Sequence, residues 1–131
     1  MATTVTVSAA VKQRLSPWYD AEFLESITLL QGSITGRLFG LFGQHAVTIN
    51  GTVHLTPSAD VLESDKGTVL VGHECFHITQ QREMGWWRFL ARYIVGWRPT
   101  HIKYGSRHPL EAPAYERGRE IRRALQQSPL P

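Results

Sequence analysis

Cysteine is all but missing from this chain: a single thiol, Cys75, stands among 131 residues, so no internal disulfide can form and packing or a metal must hold the fold. Long apolar runs are missing as well. No stretch approaches the ~20 consecutive apolar residues of a membrane-spanning helix. Met1 to Ala10 alternates Thr, Val and Ser without a basic or apolar leader segment, so no secretory signal is expected and the reading is of a cytoplasmic protein. Lysine is scarce, three residues against eleven arginines, and with eleven carboxylates the net charge is +3. Repeats, low-complexity tracts and interior linkers are also lacking, and the length suits one domain, residues 1–131, around one modest core.

What the chain does have is concentrated around His73-Glu74-Cys75-Phe76-His77, an H-E-x-x-H pattern. On a helix that spacing stacks His73 and His77 on one face, about 6 Å apart at Cβ, where both imidazoles reach one small cation. Glu74 lies roughly 100° around, suited to take a proton from a water at the metal's open side rather than to ligate. Short patterns also arise by accident, and a histidine on an apolar helix face is more often a hydrogen-bonded core residue. The flanks favour a real helix over about 65–84: Ser64 or Asp65 serves as N-cap, Gly85 as stop, and no proline intervenes. Cys75, at an x position, is expected to be a small packed residue pointing away from the two imidazoles.

A catalytic zinc site needs a third protein ligand and keeps a fourth position open. Downstream stand His101, His108, Glu111 and Glu116. Glu111 sits among apolar neighbours near the start of a helix, and an inward carboxylate without a cation would be costly. The competing explanation is that a helix N-terminus favours negative charge by itself. His108, directly before Pro109, reads as a loop residue.

Around the motif the pattern is mixed α and β. Ala21 to Glu25 reads as a short helix, Ser26 to Gln31 as a strand, and Ile34 to Phe42 as a short helix capped by Ser33. Two β-branched runs flank Asn50-Gly51, the strongest short-range hairpin signal, over about 46–55. An exposed strand edge beside a zinc site is a template on which an extended peptide can lie. His45 and His54 flank the hairpin as strand residues rather than ligands. A helix over about 86–97 is apolar at 86, 89, 90, 93, 94 and 97, a stripe expected to pack under the motif helix as core rather than on a membrane interface. The last helix runs from about 109 to 127 with Leu110, Ala114, Ile121 and Leu125 inward. Its arginines alternate with Glu116 and Glu120 at helical spacing, which favours a solvated, paired face over a nucleic-acid surface.

His73-Glu74-Cys75-Phe76-His77, Gln80-Gln81, Gly85-Trp86-Trp87, Phe89, Tyr93 and His108 through Glu116 together resemble the small bacterial gluzincin-like, minigluzincin-type zinc peptidases. The hairpin and the run into the motif are similar to the metallopeptidase-like core domain found with bacterial contractile injection systems. The resemblance spans about Ala46 to Glu120, specific in the two helices and loose elsewhere. It implies His73, His77 and Glu111 as Zn2+ ligands, Glu74 as general base, and an α+β fold whose small antiparallel sheet borders the cleft. Pro113 departs from the pattern: it is harmless only if the helix starts near Leu110, and otherwise a kink displaces Glu111.

The mechanism expected of such a site is peptide hydrolysis, in which zinc lowers the pKa of its water toward ~7 and Glu74 accepts the proton and passes it to the leaving amine. Tyr104, His101, Arg107 and Tyr115 are candidates by type and neighbourhood for steadying the oxyanion or substrate. Three readings compete: a zinc metallopeptidase acting on a peptide or protein, a non-catalytic zinc-stabilised module that binds a partner protein of a secretion or injection apparatus, and an arginine-rich binder. Glu74 favours the first over the second, because retaining zinc for stability requires ligands and no base. Nucleic acid and membrane are not expected as partners.

Overall fold

Asn50 and Gly51 both adopt positive φ, 49° and 81°, and so close a two-residue turn whose twist suits the flanking strands. The computed structural model, which describes residues 3–36, 45–57, 64–102 and 105–127, places four strands in one sheet: β1 (Thr3–Val5), β2 (Thr28–Gln31), β3 (Ala46–Ile49) and β4 (Thr52–Leu55), in the order β1-β2-β4-β3. β3 and β4 form the antiparallel hairpin, with Ile49 opposite Thr52 and Ala46 opposite Leu55. The sheet is not purely antiparallel as expected. β2 runs parallel to β4, Leu29 beside Val53, so the sheet is mixed, and β3 is left as an edge.

Five α-helices lie wholly within the described residues, and local signals set their ends. In α1 (Ala9–Leu15) the Ser8 side chain caps Val11 N–H, and in α2 (Ala21–Ser26) Asp20 caps Phe23 N–H. The motif helix α3 (Asp65–Met84) begins at Ser64, whose hydroxyl accepts from Gly67 N–H, and ends at Gly85. α4 (Trp86–Gly96) and α5 (Glu111–Gln127) follow, joined by 3-10 turns at Pro99–Ile102 and Gly105–Arg107. Because α5 starts at Glu111, Pro113 lies in its first turn, where its missing N–H has no helical partner to lose, and no kink arises. Of the helix expected over Ile34 to Phe42, residues 34–36 are helical and the rest lies outside the described residues.

The core gathers Val11 and Leu15 of α1, Leu29, Val53 and Leu55 of the sheet, Val71, Cys75 and Ile78 of α3, and Ile121 and Leu125 of α5. Leu110, Ala114, Ile121 and Leu125 are all buried, as the helical spacing predicts. Cys75 is packed against this core, and burial pushes its thiol up to about 12. α3 and α5 approach closely at Gly72: a Cβ there would sit inside the Ile121 side chain and press on Leu15, while the Gly72 carbonyl accepts from the Tyr19 hydroxyl at 2.8 Å. Gly72→Ala is therefore expected to lower stability by roughly 1–3 kcal/mol through overpacking, measurable by denaturant unfolding.

The stripe of α4 departs from expectation. Phe89 is buried, Trp86, Leu90 and Tyr93 are half-buried, and Ile94 and Trp97 are exposed. The helix docks by one narrow arc, Phe89 toward His77 and Tyr93 on His108, and among the described residues no element crosses its remaining apolar face.

Candidate metal centre

Two turns of α3 and the first residue of α5 converge at one point. The His73 and His77 rings lie 5.0 Å apart, centroid to centroid, as their four-residue spacing on one helix face requires. Glu111 completes the group: its Oε1 is 2.9 Å from His77 Nε2 and its Oε2 3.3 Å from His73 Nε2. The three candidate ligand atoms all fall within 4.8 Å of one another.

A chain of hydrogen bonds decides what His77 can do. The Gln80 amide nitrogen donates to the Leu110 carbonyl at 3.0 Å, which fixes the orientation of the amide. Its oxygen then faces His77 Nδ1 at 2.8 Å and can only accept, so Nδ1 carries the proton. In the neutral imidazole Nε2 is consequently a bare lone pair aimed at a carboxylate. That nitrogen is buried and, despite its closeness to Glu111, has no partner in hydrogen-bond geometry. Two acceptors 2.9 Å apart require a proton or a cation between them. Without a metal the proton fills the role. Burial opposes charge on His77, but the Glu111 carboxylate outweighs it and pushes the imidazole up to about 9. Burial likewise raises the Glu111 carboxyl, yet His73 and His77 hold it well below the usual carboxylate range. The two-imidazole, one-carboxylate donor set fits a divalent cation.

Gln80 also ties His77 to the residue immediately before Glu111, so one amide orients a ligand and anchors the chain carrying another. Gln80→Leu is expected to weaken metal affinity about 10–100-fold, the usual effect of losing an orienting partner, in competition with a chromogenic chelator.

Glu74 is buried beside this group and outside it, its Oε2 accepting from Thr48 Oγ1 at 2.7 Å. Thr48 belongs to the edge strand β3. The Gln81 side chain fastens that strand to α3, donating to the Thr48 carbonyl at 2.8 Å and accepting from Gly51 N–H at 2.7 Å. The hairpin register explains why that carbonyl is available. With Ile49 and Val47 in hydrogen-bonded pairs against β4, the backbone groups of Thr48 and Ala46 turn toward the open edge.

Of the residues expected to contact substrate, Tyr115 is brought to the centre: its ring lies 4.6 Å from His73, and burial, then the Glu111 charge, raises its hydroxyl. His101 is not brought there. Its Nδ1 accepts from Arg98 N–H at 2.9 Å and its ring neighbours His108. Arg107 is exposed on the second 3-10 turn, and Tyr104 lies outside the described residues. His108 is fully buried and serves structure: Nε2 donates to the Tyr93 carbonyl at 2.8 Å and Nδ1 accepts from Leu110 N–H at 3.0 Å. Glu116 pairs with Arg119 at 2.7 Å and Arg123 at 3.6 Å, bearing out the paired face of α5. His45 is exposed, and His54 meets Ser33 Oγ at 3.0 Å. Sequence reasoning missed the roles of Gln80, Gln81, Thr48 and Tyr93; of these only Gln80 carried a signal, its spacing of three from His77.

Neither a curated protein nor a solved structure matches this chain. A family model does match, over residues 6–85, more than half of the chain, from ahead of α1 through the H-E-x-x-H helix to its Gly85 cap. By that match the chain belongs to the eCIS core domain family, the core domain of extracellular contractile injection systems.

Proposed function

We propose that this domain is a zinc metallopeptidase acting on an extended peptide laid along β3. The observation that carries the reading is the buried His77 Nε2 facing the Glu111 carboxylate with its tautomer set by Gln80, a slot a cation fits. His73, His77 and Glu111 would hold the ion, and two imidazoles four apart on an H-E-x-x-H helix with one carboxylate are a donor set that catalytic zinc uses. Zinc, when bound, supplies Lewis acidity to a water and to a substrate carbonyl. The chain's own residues supply the rest. Glu74, held by Thr48, takes the proton of the attacking water and passes it to the leaving amine. Tyr115, beside His73 and 40% exposed, is placed to donate to the carbonyl oxygen as charge develops there. The outward backbone groups of Ala46 and the Thr48 N–H offer a substrate the hydrogen bonds of one more antiparallel strand, while the Thr48 carbonyl stays with Gln81.

Family membership supports a second reading, in which the zinc-holding domain binds a protein of the injection apparatus and hydrolyses nothing. Zinc-loaded protein and its Glu74→Gln variant, incubated with an extended-peptide library and read by mass spectrometry, separate the two. Cleavage by wild type alone supports the peptidase. Stoichiometric zinc without cleavage by either supports the binding module.

A further inference from the structure

The uncovered face of α4 has a composition of its own. At 100° per residue, Trp87, Ala91, Ile94 and Val95 fall in an arc about 100° wide, and all four are exposed, Trp87 at 77%, Val95 at 74% and Ile94 at 65%. Phe89, on the opposite side, is the residue that anchors the helix. An open apolar groove between Val95 and Leu110 continues the patch beyond the helix. Arg88 and Arg92 border the arc on one side; both are exposed, and neither forms an ion pair among the described residues. Arg98 caps the end of the helix, donating to the Val95 and Trp97 carbonyls. From Met84 to Leu110 the chain carries five arginines and lysines and not one carboxylate.

We propose that this face docks on an anionic lipid surface, with α4 lying in the plane of the interface. Trp87, Ile94 and Val95 would enter the boundary between headgroups and acyl chains, and Arg88 and Arg92 would reach lipid phosphates. Charge complementarity selects this occupant. A border of positive charge along one side of an apolar stripe, with no carboxylate between Met84 and Leu110, matches a diffuse sheet of negative charge, whereas a protein partner would have to offer carboxylates at matching points. Nucleic acid has phosphates, and its bases could stack on Trp87, but it has no aliphatic surface to cover Ile94 and Val95. The docked face also has a bearing on the metal centre: the inner side of the same helix sets the Phe89 ring 6.1 Å from that of His77, so the membrane plane would lie one helix away.

Co-flotation of the full chain with phosphatidylcholine vesicles, with and without phosphatidylglycerol, tests the proposal. Wild type is expected to float with the anionic vesicles only and to be released by salt. Arg88→Glu/Arg92→Glu should reduce binding about thirtyfold or more, the loss expected for two interfacial cations, and Trp87→Ser/Val95→Ser at least as much, because two apolar side chains no longer leave water, with melting temperatures unchanged because all four are exposed. Quenching of tryptophan emission by brominated lipid reads insertion on the wild type alone. Folded wild type that ignores anionic vesicles, or binds them equally after Trp87→Ser/Val95→Ser, overturns the proposal. So does sedimentation equilibrium showing a wild-type dimer that Trp87→Ser/Val95→Ser converts to monomer, since the face would then join two copies of the chain.

Discussion

Glu111→Ala is expected to leave the protein folded and unable to hold zinc. Wild type purified with supplementation should carry stoichiometric metal by elemental analysis, and the variant essentially none. The carboxylate is one of three donors and the only anionic one in the group. Its loss should reduce affinity by at least about a hundredfold, the upper range for removing a mere orienting neighbour, or roughly 2.8 kcal/mol. The fold should survive because Glu111 opens α5 and the helix is fixed further along by Ala114, Ile121 and Leu125. Nor does alanine strand a buried charge, since an imidazole without its carboxylate can be neutral. Chelator should lower the melting temperature of wild type and leave that of the variant unmoved, because only a native state that binds metal gains from it. A variant that keeps stoichiometric zinc would show that the carboxylate is not a ligand.

Glu74→Gln is the complementary case: metal retained, hydrolysis lost by about 10²–10⁴-fold, the usual contribution of a positioned general base. Glutamine has nearly the same shape, and its amide oxygen still accepts from Thr48 Oγ1, so the edge strand stays in place. Only the capacity to take a proton is removed. Equal cleavage by variant and wild type would falsify the assignment of Glu74 as base.

How much of this was legible in the sequence follows from how local each signal is. Asn50-Gly51 dictates a hairpin because few residues tolerate positive φ, and Ser64 and Gly85 mark the ends of the motif helix through its unpaired backbone groups. Glu111 stood out because a carboxylate among apolar neighbours needs a cause. The parallel pairing of β2 with β4 was not legible, since strand order depends on contacts between distant segments that leave no mark in either strand. The alternating Thr-Val-Ser stretch hides β1, three residues long, while α1 does carry a local signal, the Ser8 cap ahead of Val11 and Leu15 at helical spacing. In α4 the period marks an apolar stripe, and the expectation that it packs as core holds at Phe89 and fails at Ile94 and Trp97, which are exposed, because periodicity carries no mark of what covers a face. Gln80 and Gln81 looked like neutral polar residues, and their importance lies in partners some thirty positions away, Leu110 and Thr48.

The position of Glu111 as the first residue of the last helix makes the metal a clasp across the chain. Both imidazoles come from α3, while the carboxylate arrives only when α5 has docked. Opening of α5 alone, a sub-global fluctuation, would therefore dismantle the donor set while leaving the imidazoles on their own helix. Zinc should slow amide hydrogen exchange along 111–127 more than within β3 and β4, and metal release should keep pace with the breathing of that one helix. The ion then acts as a latch on the terminal segment, and anything that pries the segment away switches the centre off without touching the H-E-x-x-H helix.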